Sequence, residues 1–301
     1  SASADTSAHQ QMEQKELLKK VRKLEIKSRG LSAQLFSGQY HSAFKGRGMS
    51  FSEVREYQPG DDVRTIDWNV SARLNHPYVK VYEEERELTI MLVVDVSGSK
   101  DFGTQVQFKM ELVTEVCAVL AFSAMQNNDK IGVIFFSDKI EKYIPPKKGK
   151  SHILRIIREL IDFRPENRLT NIDQALKFLT NVIRKRCTAF VLSDFYGKGY
   201  EDTLKIANKK HDIVALRVTD PREISLPDVG LVRFRDAETG EAIWVDTSDR
   251  AVRKSYEIHY KKHEDFVKST LSKAGVDQAV LHTDRSYIQP LSNLCKRRGT
   301  R

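Results

Sequence analysis

Several features that would assign this chain to a specialised class of protein are scarce or absent. Its three cysteines, Cys117, Cys187 and Cys295, are far apart and form no CxxC pair, which argues against a disulfide framework or a zinc ribbon. The longest apolar run, Leu88 to Val94, is far shorter than the ~20 residues of a membrane-spanning helix. The first residues lack the basic flank and apolar stretch of a secretory signal. We therefore expect a cytoplasmic protein without a membrane span.

The composition predicts a folded chain with a surplus of positive charge. The 301 residues are 40% hydrophobic and 30% charged, which is typical of a globular protein that buries a sizeable core. The net charge is +9, and basic residues concentrate in residues 12–29 and 296–301. Aromatic residues are not interleaved with these clusters as they are on a single-strand-binding platform. We favour solvated helix faces, and nucleic-acid binding remains an alternative.

Hydrophobic periodicity divides the chain into three parts. Residues 1–11 have the composition of a disordered tail or an expression remnant. Residues 12–87 begin with an amphipathic helix over Glu13 to Lys27 and continue as an irregular segment rich in Gly and charge. Residues 88–298 alternate buried-type strands with helices, which predicts an α/β fold with a doubly wound, mostly parallel sheet. An alternating pattern near 230–247 predicts a β-hairpin inserted at the sheet margin.

The chemistry of the predicted sheet concentrates where its first strand ends. Asp95, Ser97 and Ser99 follow the apolar run at alternate positions and supply one carboxylate and two hydroxyls. Open parallel sheets bind ligands beyond the carboxyl ends of their strands. Oxygen ligands of this kind suit Mg²⁺ or Mn²⁺. Taken alone, the two serines are equally well explained as caps of the following helix.

Two later positions favour the cation site. Thr170 stands at a loop-to-helix junction, and Asp194 ends another apolar strand, so both belong to the same edge of the sheet. Together the five residues resemble the von Willebrand factor A family, whose metal-ion-dependent adhesion site has the pattern DxSxS, then T, then D. The resemblance implies a Rossmann-type fold in which Asp95, Ser97, Ser99, Thr170 and Asp194 bind the metal, some of them through water.

The segment Gly46 to Glu87 resembles the signature of a bacterial family of proteins of unknown function, number fifty-eight. This resemblance covers nearly all of Met12 to Arg298. Members look like von Willebrand-type proteins and are typically encoded beside MoxR-type AAA+ ATPases, with which they are thought to act in assembly or stress tolerance. Many carry membrane helices ahead of the signature, whereas this chain shows none there, which favours a soluble form.

The signature segment also has an interpretation from its residues alone. Arginines and acids surround Trp68, so ion pairing around one buried aromatic side chain would fix the segment onto the sheet domain. The charged residues concerned are Arg55, Arg64, Arg73, Glu53, Asp61, Asp62 and Asp67. A partner-binding surface is the alternative.

Farther along, His259 and His263 have the four-residue spacing of metal ligands, but without the glutamate of HExxH we expect a solvated helix face.

These observations predict a metal-dependent protein-interaction module rather than an enzyme. The partner offers an acidic residue, and the resemblance implies a MoxR-type ATPase or another von Willebrand-type protein, with this chain as an adaptor or assembly factor. No catalytic triad can be assembled from the motifs. Two other functions remain open: a metal-dependent phosphoester hydrolase and a basic nucleic-acid-binding protein.

Overall fold

The computed structural model describes residues 2–36, 43–44, 49–84, 87–97, 103–163, 169–235 and 242–300. The strands in these ranges are β1 (Met49–Glu56), β2 (Tyr78–Glu84), β3 (Thr89–Asp95), β4 (Lys130–Phe136), β5 (Ile140–Lys147), β6 (Thr188–Ser193), β7 (Asp212–Thr219), β8 (Leu231–Arg235), β9 (Ala242–Asp246) and β10 (Asp277–His282). The helices are α1 (Ala2–Phe36), α2 (Trp68–Leu74), α3 (Gly103–Gln126), α4 (Lys150–Asp162), α5 (Ile172–Val182), α6 (Glu201–Lys210), α7 (Pro221–Ile224), α8 (Arg250–Lys273) and α9 (Ile288–Gly299).

The central sheet has six strands in the order β10-β7-β6-β3-β4-β5. All neighbours are parallel except β4 and β5, which form an antiparallel pair at one edge. The inner strands are buried along nearly their whole length because both faces of the sheet are covered, as parallel sheets require. The predicted mixed α/β fold with a mostly parallel sheet is therefore confirmed.

Helices cover the sheet in two layers with separate cores. Alternate residues of β3 point to opposite faces, so Ile90 and Leu92 join one core and Met91 and Val93 the other. The first core packs under α3, α4 and α9, and the second under α5, α6 and α8. Helix α1 lies outside the first layer and contacts α3, α4 and α9.

Helix α1 extends well beyond the amphipathic stretch seen in the sequence. It begins at Ala2, so residues 2–11 are helical where the sequence predicted a tail. This part of the chain contains neither Pro nor Gly, the residues that most readily break a helix. Among the described residues, no helix combines the length and the apolar character needed to cross a bilayer.

The segment between α1 and the sheet is more regular than predicted. Strands β1 and β2 form an antiparallel pair, so the expectation of an irregular segment is wrong over Met49–Glu56. The register of the pair shifts between Phe51 and Glu53. An extra residue of this kind interrupts the alternation of side chains along a strand. That interruption hides β1 from a search for alternating apolar residues.

The predicted burial of Trp68 is also wrong. Its side chain is 72% exposed, at the start of the short helix α2. The ion pairs of this segment form elsewhere: Arg55 binds both carboxylate oxygens of Asp61 at 2.7 Å, and Lys80 lies 3.3 Å from Asp67. Asp67 also caps α2. The charged side chains therefore stabilise local turns instead of enclosing the indole. The first residues of the signature segment, 46–48, lie outside the described residues.

Strands β8 and β9 form a separate two-stranded antiparallel sheet between β7 and α8. They lie where the sequence indicated alternating strands, and residues 236–241 between them are outside the described ranges. Thr247 ties the end of β9 to the start of β8, because its hydroxyl donates to the Gly230 carbonyl at 2.6 Å. The two strands and the first half of α8 flank the carboxyl end of β7.

Candidate metal-binding site

The carboxyl ends of β3 and β6 adjoin where the order of the central sheet reverses. From β3 the chain continues to β4 on one side, whereas β6 and β7 lie on the other. The helices that follow the two strands, α3 and α6, pack on opposite faces. This arrangement opens a crevice between the strand ends, which is where open α/β sheets bind their ligands.

Hydroxyl groups from three segments converge on the carboxylate of Asp95, the last residue of β3. Ser97 donates both its backbone N–H, at 3.0 Å, and its hydroxyl, at 2.6 Å, to Oδ1. The Thr170 hydroxyl, at 2.9 Å, and the Ser193 hydroxyl, at 2.6 Å, donate to Oδ2. A carboxylate held by three hydroxyls is fixed in place, and each hydroxyl oxygen keeps lone pairs available to a ligand.

The electrostatics of Asp95 favour a cation beside it. Burial raises the pKa of this carboxyl, and the carboxylate of Asp194 raises it further. Hydrogen bonds from Ser193 and Ser97 act in the opposite direction without reversing the shift. A divalent cation between the two acids would offset both the burial of charge and the mutual repulsion. The donor set of carboxylates and hydroxyls fits Mg²⁺ or Mn²⁺.

Asp194 follows β6 and faces a different set of groups. Its Oδ1 accepts the backbone N–H of Tyr196 at 2.9 Å, and its Oδ2 lies 3.7 Å from Lys109 Nζ. Its side chain is 40% exposed. Asp194 is therefore the more accessible of the two acids and remains open to a ligand from solvent.

The turn after Asp194 holds an unusual backbone conformation. Phe195 has φ +58°, the left-handed region that a bulky residue rarely adopts. Its ring is fully buried near Tyr200, and its N–H donates to the Ser193 hydroxyl at 3.0 Å. Such conformations persist only where the surroundings impose them, and they cluster at functional sites. In this conformation the Ser193 side chain faces Asp95 and the Asp194 side chain faces Lys109.

Lys109 connects the candidate site with its surroundings. This half-buried residue of α3 forms an ion pair with Glu223 of α7 in addition to its contact with Asp194. Burial lowers the pKa of the ammonium, but the carboxylates of Asp194 and Glu223 outweigh that effect and the net shift is upward. Lys109 is thus held as a cation next to the outer acid of the site.

The structure brings the sequence-predicted residues together in part. Hydrogen bonds link Asp95, Ser97 and Thr170 directly. Asp194 lies at the same sheet edge and acts on Asp95 through charge, while its own hydrogen bond goes to the following turn. Ser99 lies outside the described residues.

Ser193 is the contact that the sequence analysis missed. It directly precedes Asp194, and side chains alternate along a strand, so the two are expected on opposite faces. Only the pairing of β6 beside β3 brings the Ser193 hydroxyl to Asp95. A hydroxyl residue next to the final acid was the one available signal.

The histidine pair also differs from its prediction. His263 is half-buried, packs against Tyr196 with ring centroids 4.4 Å apart, and forms a hydrogen bond with the Asp194 backbone. Burial lowers the pKa of His263. Its face of α8 is therefore not simply solvated, although His259 is exposed. Within the described ranges, no group of three His, Cys, Asp or Glu side chains is positioned to hold a metal.

Comparisons with known proteins identify relatives without an assigned function. An uncharacterised protein of Mycobacterium tuberculosis is 31% identical over 284 residues, covering 93% of this chain and 89% of the relative. Solved structures with a likeness include BatB from Bacteroides thetaiotaomicron, a conserved hypothetical protein, at 18% identity and a TM-score of 0.46 over 71% of this chain and 100% of that chain. Another is the SpRpn10 VWA domain, at 10% identity and a TM-score of 0.35 over 70% of this chain and 95% of that one. Scores this low carry no conclusion about function.

The family assignment rests on sequence. The profile of the family described as "Protein of unknown function DUF58" matches residues 53–266. This range includes the second half of β1, all of β2, most of the central sheet and the candidate site. The mycobacterial relative extends the similarity over nearly the whole chain. The chain is therefore a member of the DUF58 family.

Proposed function

We propose that this protein is a metal-dependent protein-binding module. A Mg²⁺ or Mn²⁺ ion is held by Asp95, Ser97, Ser99, Thr170 and Asp194, and it binds an acidic residue of the partner. The observation that carries the proposal is the convergence of hydroxyls from three segments on Asp95, beside a second, accessible carboxylate.

The charges around the site support an open coordination position. Asp95 and Asp194 are the acids of the proposed ligand set, and the other three ligands are neutral hydroxyls. Lys109 lies 3.7 Å from Asp194, and its positive charge offsets part of the negative charge of that carboxylate. The bound ion therefore keeps enough positive charge to attract a further carboxylate. Without the ion, the two acids would repel the same group, so the cation reverses the sign of the contact.

The partner we propose is a MoxR-type AAA+ ATPase, with this chain acting as an adaptor or assembly factor, and a second von Willebrand-type protein is the other candidate. This step rests on the family resemblance of the signature segment and the DxSxS pattern. An acidic surface residue on the partner would supply the ligand to the metal. The basic surface of this chain, with a net charge of +9, would favour encounter with an acidic partner.

Cation binding is tested first, by isothermal titration of Mg²⁺ and Mn²⁺. Thr170→Val removes one hydroxyl while conserving shape, and we expect it to weaken binding at least tenfold. Asp95→Ala should abolish binding, with circular dichroism as the check on folding because Asp95 is half-buried and accepts several hydrogen bonds. Asp202→Ala is the matched control, since Asp202 lies on α6 with a side chain that is 92% exposed. Equal isotherms for wild type, Thr170→Val and Asp95→Ala would remove the proposed site.

Partner binding is tested with the purified ATPase from the same genome at constant Mg²⁺. Site variants are preferable to a chelator, because a chelator also strips the metal from the nucleotide of the ATPase. We expect Asp194→Ala and Thr170→Val to weaken the complex roughly ten- to a hundredfold, the effect of losing about 1.5–3 kcal/mol at a charged contact. Asp202→Ala should bind like the wild type. Equal affinity for all four proteins would assign the interaction to another surface.

A further inference from the structure

We propose that a cavity beside Asp194 is the second half of the same binding site and receives a large apolar or aromatic side chain of the partner, next to its metal-binding acid. This inference rests on the proposed function and names the chemistry of the partner segment: a carboxylate followed or preceded, within two residues, by Phe, Tyr, Trp, Leu or Met.

The cavity lies between α8, the β8–β9 sheet and the carboxyl ends of β6 and β7. Its volume is about 570 Å³. This falls within the range of pockets that bury small ligands. Helix α8 contributes positions three or four residues apart, which share one helical face: Val252, Tyr256, His259, Tyr260 and His263.

The cavity is continuous with the candidate metal site. Asp194 belongs to both, and Tyr196 of the same turn also lines the cavity. Arg217 of β7 pairs in register with Ser193, whose hydroxyl contacts Asp95. A peptide whose carboxylate reaches the cation therefore places its neighbouring side chain at the entrance of the cavity.

The interior of the cavity suits an apolar side chain. Leu226, Phe234, Val245 and Val252 form its apolar wall. The charged residues in its lining are already matched: Arg217 with Glu264 through its terminal nitrogens, and Glu223 with Lys109. Asp194, the other charged residue of the lining, faces the proposed cation. An apolar group therefore enters at little electrostatic cost, whereas an additional charge inside would be unpaired.

Two buried polar atoms belong to residues of the cavity lining. Among the described residues, Arg217 Nε and His263 Nε2 are buried and have no hydrogen-bond partner, and Arg217 is 1% exposed. Because both atoms are already out of reach of solvent, an apolar side chain that enters the cavity does not have to remove water from them.

The test uses an array of immobilised peptides with a central Glu and each of the twenty amino acids at the flanking positions, probed with the full chain in Mg²⁺. Val252→Trp fills the cavity, and Ile258→Trp is the matched control because Ile258 lies on the exposed side of α8. For the wild type and Ile258→Trp we expect large apolar neighbours to bind at least about tenfold more tightly than Ala. Val252→Trp should lose that preference but keep the requirement for Glu and its affinity for Mg²⁺.

Each other outcome overturns the inference in a distinguishable way. Binding that depends on Glu and Mg²⁺ with no preference for the neighbour, and no effect of Val252→Trp, would leave the proposed function intact and remove the cavity from it. Apolar peptides that bind Thr170→Val as tightly as the wild type would separate the cavity from the metal and count against both. Binding to no peptide, or self-association that Val252→Trp abolishes in light scattering, would refute the peptide assignment.

Discussion

The buried ion-pair network of Arg298 is expected to contribute strongly to stability without influencing the candidate site. The side chain, on α9, is 1% exposed. It forms ion pairs with Asp212 and with Asp277, the latter at 2.6 Å, and donates to the Ala43 carbonyl at 3.2 Å. Its guanidinium lies 4.9 Å from the centre of the Phe44 ring. The network joins α9 and residues 43–44 to the amino ends of β7 and β10.

Replacing Arg298 with Met conserves much of the volume but leaves the buried carboxylate of Asp212 without its cation. Breaking a buried pair from one side typically costs about 3–5 kcal/mol. We expect the free energy of unfolding, measured by urea titration with circular dichroism, to fall by that amount. Adding Asp212→Asn removes the stranded charge and should recover a large part of the loss.

The neighbouring Arg297 provides the matched control. Its side chain is exposed and donates to the Gln278 carbonyl at 2.9 Å, so Arg297→Met should change stability by less than about 0.5 kcal/mol. The network lies at the amino ends of the strands, whereas Asp95 lies at the carboxyl end of β3. Folded Arg298→Met should therefore keep the wild-type affinity for Mg²⁺. If Arg298→Met is no less stable than Arg297→Met, the reasoning about buried charge at this position is refuted.

Three further predictions address packing, pH and thiol chemistry. Gly132→Ala should destabilise the protein by about 1–3 kcal/mol, since the added Cβ would lie 2.7 Å from the Ile144 carbonyl oxygen and 2.8 Å from the Pro146 nitrogen; Gly30→Ala, in open space on α1, should instead be neutral or stabilising by up to about 1 kcal/mol in the same urea titration. Burial lowers the pKa of His211 to about 4. The unfolded chain therefore binds the proton more tightly, so wild-type stability should fall as the pH drops from about 6.5 towards 4; His211→Gln should reduce that slope, and an unchanged slope would contradict the assignment. All three cysteines are buried, so a thiol reagent such as DTNB should label none in the native protein and three in urea, and rapid native labelling would count against the packing described.

The sequence by itself determined the strands and helices of the sheet domain, because their signals are local. A strand covered on both faces is continuously apolar, as in β3, and the change to helical spacing marks each crossover. The DxSxS pattern also stands at a strand end, so its chemistry was visible before its geometry. Elements whose pattern is interrupted or whose burial depends on distant contacts were not determined: a bulge hides β1, and Trp68 is exposed although its neighbours suggested enclosure.

Only the tertiary structure decided which residues share the candidate site and what lies beside it. The order of the sheet places β6 next to β3, which brings Ser193 to Asp95 across 98 positions of sequence. The contact of Lys109 with Glu223 spans 114 positions. The cavity depends on α8 and the β8–β9 sheet closing over the end of β7. The spacing of apolar residues shows which face of a helix or strand is buried. Which other element covers that face depends on the packing of the whole chain.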